Sequence, residues 1–182
     1  MPPVDARVAR VETAVKAHAP AVLAYFARRV EQRHDAADLL AETLLVVWRR
    51  ASSLPTVDEE IRPWMFGVAR HVLMHHQRRI RRQRAVADRL RGVLLVTPHA
   101  GFADPSEYDD LHQALAALDP VDRDIIGLVH WEGFSLVEVS RILRMKEGTL
   151  RSRYHRARGT LRAQLEDRNT AEAVVDAMRS VR

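Results

Sequence analysis

The chain has 182 residues, no cysteine and a formal net charge of +5. Without cysteine it can hold neither disulfides nor cysteine-ligated zinc or iron–sulfur centres, which suits a reducing cytoplasm. Its longest purely aliphatic run, Val93-Leu94-Leu95-Val96, is too short to cross a bilayer, and the opening MPPVDARVARVETAVKAH lacks the apolar core of a signal peptide, so a cytoplasmic chain without membrane insertion is expected.

From the N-terminus, Val8, Val11, Val15, Val22, Tyr25, Phe26 and Val30 give a broken helical periodicity, with Pro20 placed to open a second helix. Asp35 and Asp38 are acidic residues suited to the start of the next helix. That helix is expected to turn Leu39, Leu40, Leu44, Val47 and Trp48 inward and Glu42, Arg49 and Arg50 outward. Residues 52–56 end it, and Asp58-Glu59-Glu60 reads as an acidic loop. Pro63 fits the first turn of a further helix over residues 63–84, whose apolar face is Trp64, Met65, Val68, Ala69 and Val72. The second half of this helix, HHQRRIRRQR, has almost no apolar face and so does not fill a core. It is either a solvated end or a surface for phosphates, whose neutralisation supplies much of the affinity for nucleic acid.

Residues 85–106 lose the pattern, with Gly92, Pro98, Gly101 and Pro105 as punctuation, and read as a linker able to span roughly 70 Å. The Val93-Leu94-Leu95-Val96 patch is unusual for a free linker and suggests docking on a domain or a partner. Helical spacing resumes with Tyr108, Leu111, Leu115 and Leu118. Asp119-Pro120 is an N-cap followed by proline at the first helical position, with Asp122 at the third. Ile125, Ile126, Leu128 and Val129 follow, and Trp131-Glu132-Gly133 closes the segment.

Residues 135–165 then read as two helices around a tight turn. Ser135 and Glu138 form a capping box, and Leu136, Val139, Ile142 and Leu143 an apolar stripe. Past the turn, Leu150, Tyr154, Ala157 and Leu161 form the buried stripe of a helix whose other positions are largely basic. A short helix, a turn and a basic second helix make a helix-turn-helix, which places the start of the second helix in a DNA major groove. The competing reading is a helical hairpin whose arginines only face solvent. Ala171, Val174, Val175, Met178 and Val181 outline a possible short amphipathic helix at the C-terminus. No strand-like alternation appears. The fold class expected is all-α, as two small helical domains, 1–86 and 107–168, joined by a flexible linker over 87–106, with a tail over 169–182.

Over residues 20–168 the chain resembles the bacterial extracytoplasmic-function (ECF, group 4) sigma factors of RNA polymerase. DAADLLAETLLVVW, from Asp35 to Trp48, is similar to the family's D-A-x-D-L-x-Q-E-T-F-x-x-x-W run. RPWMFGVARH, from Arg62 to His71, is similar to R-x-W-L-x-x-I-A-R-N, which opens the −10-reading helix. LDPVDR, from Leu118 to Arg123, resembles L-P-x-x-x-R at the start of sigma domain 4, and GTLRSRYHRAR, from Gly148 to Arg158, is close to the recognition helix G-T-V-K-S-R-L-x-R-A-R. Ala41 and Leu44 depart from the family's Gln and Phe, and His71 from its Asn. Arg144 stands where the turn often has Gly, which requires a left-handed backbone from a non-glycine residue.

The resemblance implies a factor that gives core RNA polymerase its promoter specificity, with no catalysis, cofactor or metal of its own. Asp35, Asp38, Leu39, Glu42, Thr43 and Val46 are then the polymerase-binding residues. Arg62, Trp64, Arg70, His71, His75, Arg78, Arg79 and Arg82 face the −10 element. Lys146, Thr149, Arg151, Ser152, Arg153, His155, Arg156 and Arg158 face the −35 element, with Arg151 and Arg153 as the candidates for guanine or phosphate contacts. The loop over residues 53–60 shapes a pocket for a flipped base, whose unstacking costs a few kcal/mol. Implied partners are core RNA polymerase through its β′ clamp and β flap, promoter DNA, and an anti-sigma factor; homo-oligomerisation of the active form is not expected. Three other readings stand beside this one. They are a dimeric helix-turn-helix regulator that binds an operator without polymerase, a helical module that sequesters a partner, and a metal site from His71, His75 and His76.

Overall fold

The computed structural model describes the backbone of residues 4–94 and 107–180, and side chains within residues 6–89 and 111–166. The described residues form helices α1 (Val4–Ala27), α2 (Arg33–Arg49), α3 (Asp58–Leu94), α4 (Glu107–Ala117), α5 (Pro120–His130), α6 (Leu136–Leu143) and α7 (Glu147–Ser180), with a short 3₁₀ turn at Ala51–Ser53 and no strand. Two compact units result, one holding α1, α2 and α3, the other α4, α5, α7 and most of α6.

Four boundaries differ from the sequence reading. α1 runs through Pro20 without a break. Proline removes one backbone hydrogen bond, but Val22, Tyr25 and Phe26 just beyond it are almost wholly buried, and their burial outweighs that loss. Asp58, Glu59 and Glu60 are not a loop but the first turn of α3, where carboxylates meet the positive end of the helix dipole. α3 continues past residue 84 to Leu94, and α7 runs unbroken through the expected tail, so the possible short helix there is the end of a longer one. Past residue 84 the residues of α3 lack an apolar stripe but are mostly good helix formers, so a helix already nucleated by packing propagates through them. Of the Val93-Leu94-Leu95-Val96 patch, the last two residues lie outside the described residues.

The first unit is a three-helix bundle. Val11 and Ala14 of α1, Val47 of α2, and Ile61, Met65 and Val68 of α3 pack around Leu54. Tyr25, Phe26 and Phe66 form an edge-on aromatic cluster with ring centroids 5.4 and 5.5 Å apart. Such rings are worth about 1.5–3 kcal/mol each in burial. Arg10 ties α1 to the segment before α3, donating to the carbonyls of Pro55 at 2.7 Å and Thr56 at 3.3 Å.

The second unit packs Leu115 of α4, Leu118 just beyond it, Ile126 of α5 and Ala157 of α7, with Tyr154 and Leu161 at the edge. As the sequence leads one to expect, Asp119 caps α5 by accepting from the Val121 amide at 2.9 Å. Ser135 and Glu138 cap α6 reciprocally, at 2.8 Å from the Ser135 amide and 3.3 Å from the Glu138 amide. Arg123 donates to the carbonyls of Leu115 and Leu118 at 2.7 and 3.2 Å and so closes the C-terminus of α4.

Candidate nucleic-acid interface

In the second unit the turn between α6 and α7 is Arg144-Met145-Lys146. Arg144 adopts the left-handed conformation expected of it, with φ 53°, and Met145 donates its amide to Ser140 at 2.9 Å. This sharp reversal lets Val139 and Leu150, both completely buried, pack while the first turns of α7 stay outward. Lys146, Thr149, Arg151, Ser152, His155, Arg156 and Arg158 are all exposed. Seven of the eight expected −35 residues therefore share one accessible region, in the place where a recognition helix meets base edges.

Arg153 is the exception. Its Nε donates to Asp122 at 2.6 Å and its Nη2 to Asp119 at 2.6 Å, with the side chain only 26% exposed. It lies a quarter-turn back from Ser152, against the N-terminus of α5, and clamps α7 to that helix rather than standing among the outward cations. Its partners Asp119 and Asp122 lie 34 and 31 positions away in the sequence, so no local signal marked the clamp. Arg158 also has company, its guanidinium lying 5.6 Å from the Tyr154 ring centre, while the Tyr154 hydroxyl is 3.2 Å from His130 Nε2. His155, Arg158 and Arg162 edge a groove floored by Leu111, Leu115, Ile126, Leu161 and Leu165.

In the first unit, the −10 candidates fall on one helix in two groups. Arg62, Trp64 and Arg70 are half-buried; Trp64 packs on the core and the Arg62 guanidinium lies 5.4 Å from the Phe66 ring centre. His71, His75, Arg78, Arg79 and Arg82 are exposed, the two histidine rings 5.1 Å apart and Arg79 3.4 Å from His76 Nδ1. No group of three metal-ligating side chains is assembled among the described residues. On α1, burial and then the nearby Arg62 charge hold the His18 imidazole below its ordinary pKa.

The polymerase-binding candidates on α2 divide as well. Asp38 and Glu42 are exposed and Asp35 partly so. Leu39 and Thr43 are instead core residues, the Thr43 hydroxyl donating to the Leu39 carbonyl at 2.7 Å, and Val46 packs on the core. Trp48 does not turn inward as expected but is 51% exposed, and Leu45 is 57% exposed. The register explains this: Leu39, Thr43 and Val47 form the inward stripe, so Asp38, Glu42, Leu45 and Trp48 fall together on the opposite face. The tryptophan's hydrophobicity masked a spacing that was legible.

Fold and site together define a two-unit, all-helical protein that presents basic helices to DNA. The Sigma-70 region 2 family matches residues 14–85, and the Sigma-70 region 4 family matches residues 108–161. The chain is 31% identical over 140 residues to the ECF RNA polymerase sigma factor SigF of Caulobacter vibrioides, covering 74% of this chain and 73% of that one. It is 28% identical over 159 residues to the ECF RNA polymerase sigma factor SigL of Mycobacterium tuberculosis, covering 82% and 85%. Its fold is similar to that of the sigma factor RpoE of Bartonella quintana, solved in complex with the anti-sigma factor NepR, with a TM-score of 0.64 at 24% identity over 85% of this chain and 96% of that one. The chain belongs to the ECF RNA polymerase sigma factors. It is a transcription initiation factor that associates with core RNA polymerase and directs it to promoters. No helix among the described residues is long and apolar enough to cross a membrane.

Proposed function

We propose that this chain is a group 4 sigma factor that acts in the cytoplasm, with residues 1–86 serving as sigma domain 2, 87–106 as linker, 107–168 as sigma domain 4 and 169–182 as tail. The observation that carries the reading is the pairing of two exposed basic helix faces, on α3 and α7, with an exposed apolar and acidic face on α2. DNA reading needs the first two; a regulator working without polymerase has no use for the third.

Asp38, Glu42, Leu45 and Trp48 bind the β′ clamp: the carboxylates pair with cationic side chains and the tryptophan supplies the buried anchor typical of interface hot spots. Leu39 and Thr43 shape this face from beneath it. On α3, Arg62, Trp64, Arg70, His71, His75, Arg78, Arg79 and Arg82 address the −10 element. Arg10 fixes the segment around Pro55 and Thr56, beside which a flipped base is received.

At the −35 element Arg151 reads base edges with Thr149 and Ser152 beside it, while Lys146, His155, Arg156 and Arg158 hold phosphates. Arg153 serves as a positioning residue, fixing the angle at which α7 enters the groove. The groove between α4, α5 and α7 takes the β flap, its cationic rim suiting an acidic partner helix. An anti-sigma factor holds the chain inactive by covering these surfaces. Support comes from the fold likeness to a sigma factor solved with such a partner.

Run-off transcription by core polymerase with this chain, on randomised promoters, tests the whole reading. Initiation from a selected pair of elements about two DNA turns apart is expected. Failure to bind core polymerase, with tight binding to a palindrome alone, would overturn it in favour of a dimeric regulator. Negligible, salt-insensitive DNA affinity would favour a sequestering module.

A further inference from the structure

We infer that α3 carries one cationic stripe, His71, His75, Arg78, Arg82 and Arg89, which continues beyond the −10-reading turns and grips the phosphate backbone of the duplex between the two promoter elements. This rests on the sigma-factor reading and extends it. At 3.6 residues per turn these five positions fall within about 60° of arc, and all five side chains are exposed. Arg84 lies on the opposite side of the helix and turns back to Glu31 at 3.1 Å, which marks that side as the one facing the bundle. The stripe therefore looks away from the unit's own core.

Its length sets what it can reach. His71 and Arg89 are separated by about 27 Å of helix, the length of about 8 base pairs. Arg89 also lies past residue 85, where the region 2 match ends. The −10-reading turns, through Arg82, need only the first part of that length, so Arg89 overhangs whatever adjoins the element. In chain order Arg89 comes after the −10-reading turns and before the −35-reading unit, so the duplex between the two elements is the nucleic acid next to it. Chemistry excludes base reading there. Between Arg82 and Arg89 the stripe position is Ala85, with no amide or hydroxyl side chain to discriminate a base edge. Arginines spaced by small residues on an outward helix face suit phosphodiester oxygens, which carry no sequence information.

The test uses holoenzyme assembled from core polymerase and the full chain, bound to a promoter that the holoenzyme itself selects from randomised templates. Arg89→Gln preserves helix propensity and removes one cation. The expected result is a slope of log affinity against log salt that is shallower by about one, with the same loss for any sequence between the elements. Arg81→Gln, about a quarter of a turn from the centre of the stripe, should leave the slope at its wild-type value. On a fragment that ends at the upstream edge of the −10 element, Arg89→Gln and wild type should coincide. An unchanged slope, a loss that depends on the intervening sequence, or a difference that persists on the shortened fragment overturns the inference while leaving the sigma-factor reading intact. If the wild-type holoenzyme selects no promoter, the underlying reading falls and this inference with it.

Discussion

Arg144, Arg153 and Arg151 lie within ten positions of one another, yet each does different physical work. Arg144 carries backbone strain, since a non-glycine residue at φ 53° meets its own Cβ, so Arg144→Gly should stabilise the second unit by about 0.5–1 kcal/mol after glycine's entropic cost. Urea denaturation checks this. Arg153 carries an ion pair with Asp119 and Asp122, and Arg153→Ala should cost about 1–3 kcal/mol by leaving two carboxylates together without their cation. Faster amide exchange in α5 and α7 should accompany the loss, and −35 binding should weaken equally for all sequences. Arg151→Ala should instead leave stability unchanged and cost about 1–3 kcal/mol at one base position, read by binding to a panel of −35 variants. His18 behaves differently again. Its folded pKa is depressed, so as pH falls below about 6.5 the unfolded chain takes up the proton first and the first unit loses stability. His18→Gln should flatten that dependence, measured as the urea midpoint near neutral pH and about two units below it. The sequence displayed all four residues; the role of Arg144 was readable from the turn it occupies and that proposed for Arg151 from the recognition-helix motif, whereas those of Arg153 and His18 needed tertiary partners.

At the level of the helices, α2 and α3 illustrate opposite failures of pattern reading. On α2 the hydrophobic character of Trp48 suggests the core, whereas the register set by Leu39, Thr43 and Val47 places it outside. Trp48→Glu should therefore leave thermal stability nearly unchanged and reduce assembly with core polymerase by tenfold or more, about 1.4 kcal/mol, by titration of holoenzyme formation. An inward Trp48 would instead make this variant unfold. On α3 the lack of an apolar face beyond residue 84 suggested an end, yet the helix persists to Leu94. Periodicity reports what packs against a helix, not whether the helix exists. The capping box at Ser135 and Glu138 and the Asp119 cap were legible because they are local, each completed within a few residues.

Across the whole molecule, the continuation of α3 changes the reach of the connection between the units. Residues 87–94 rise about 1.5 Å each as helix rather than about 3.5 Å as extended chain, which lowers the greatest span of 87–106 from roughly 70 Å to roughly 55 Å. Two weak DNA readers on one tether need not bind tightly alone, because polymerase held by the first unit raises the effective concentration of the second. Arg151→Ala should therefore reduce promoter binding strongly in the holoenzyme and only slightly in the isolated chain, by parallel titrations. The all-helical class, the two-unit order, the helix-turn-helix and its caps were determined by the amino-acid sequence alone, because each depends on spacing, turn chemistry or charge within a short window. Tertiary structure decided which side chains remain available: it withdrew Arg153, Leu39 and Thr43 into the protein and turned Leu45, Trp48 and the α3 stripe outward. Availability depends on partners distant in sequence, as Arg153 depends on Asp119 and Asp122 more than thirty positions away, and no local pattern encodes that.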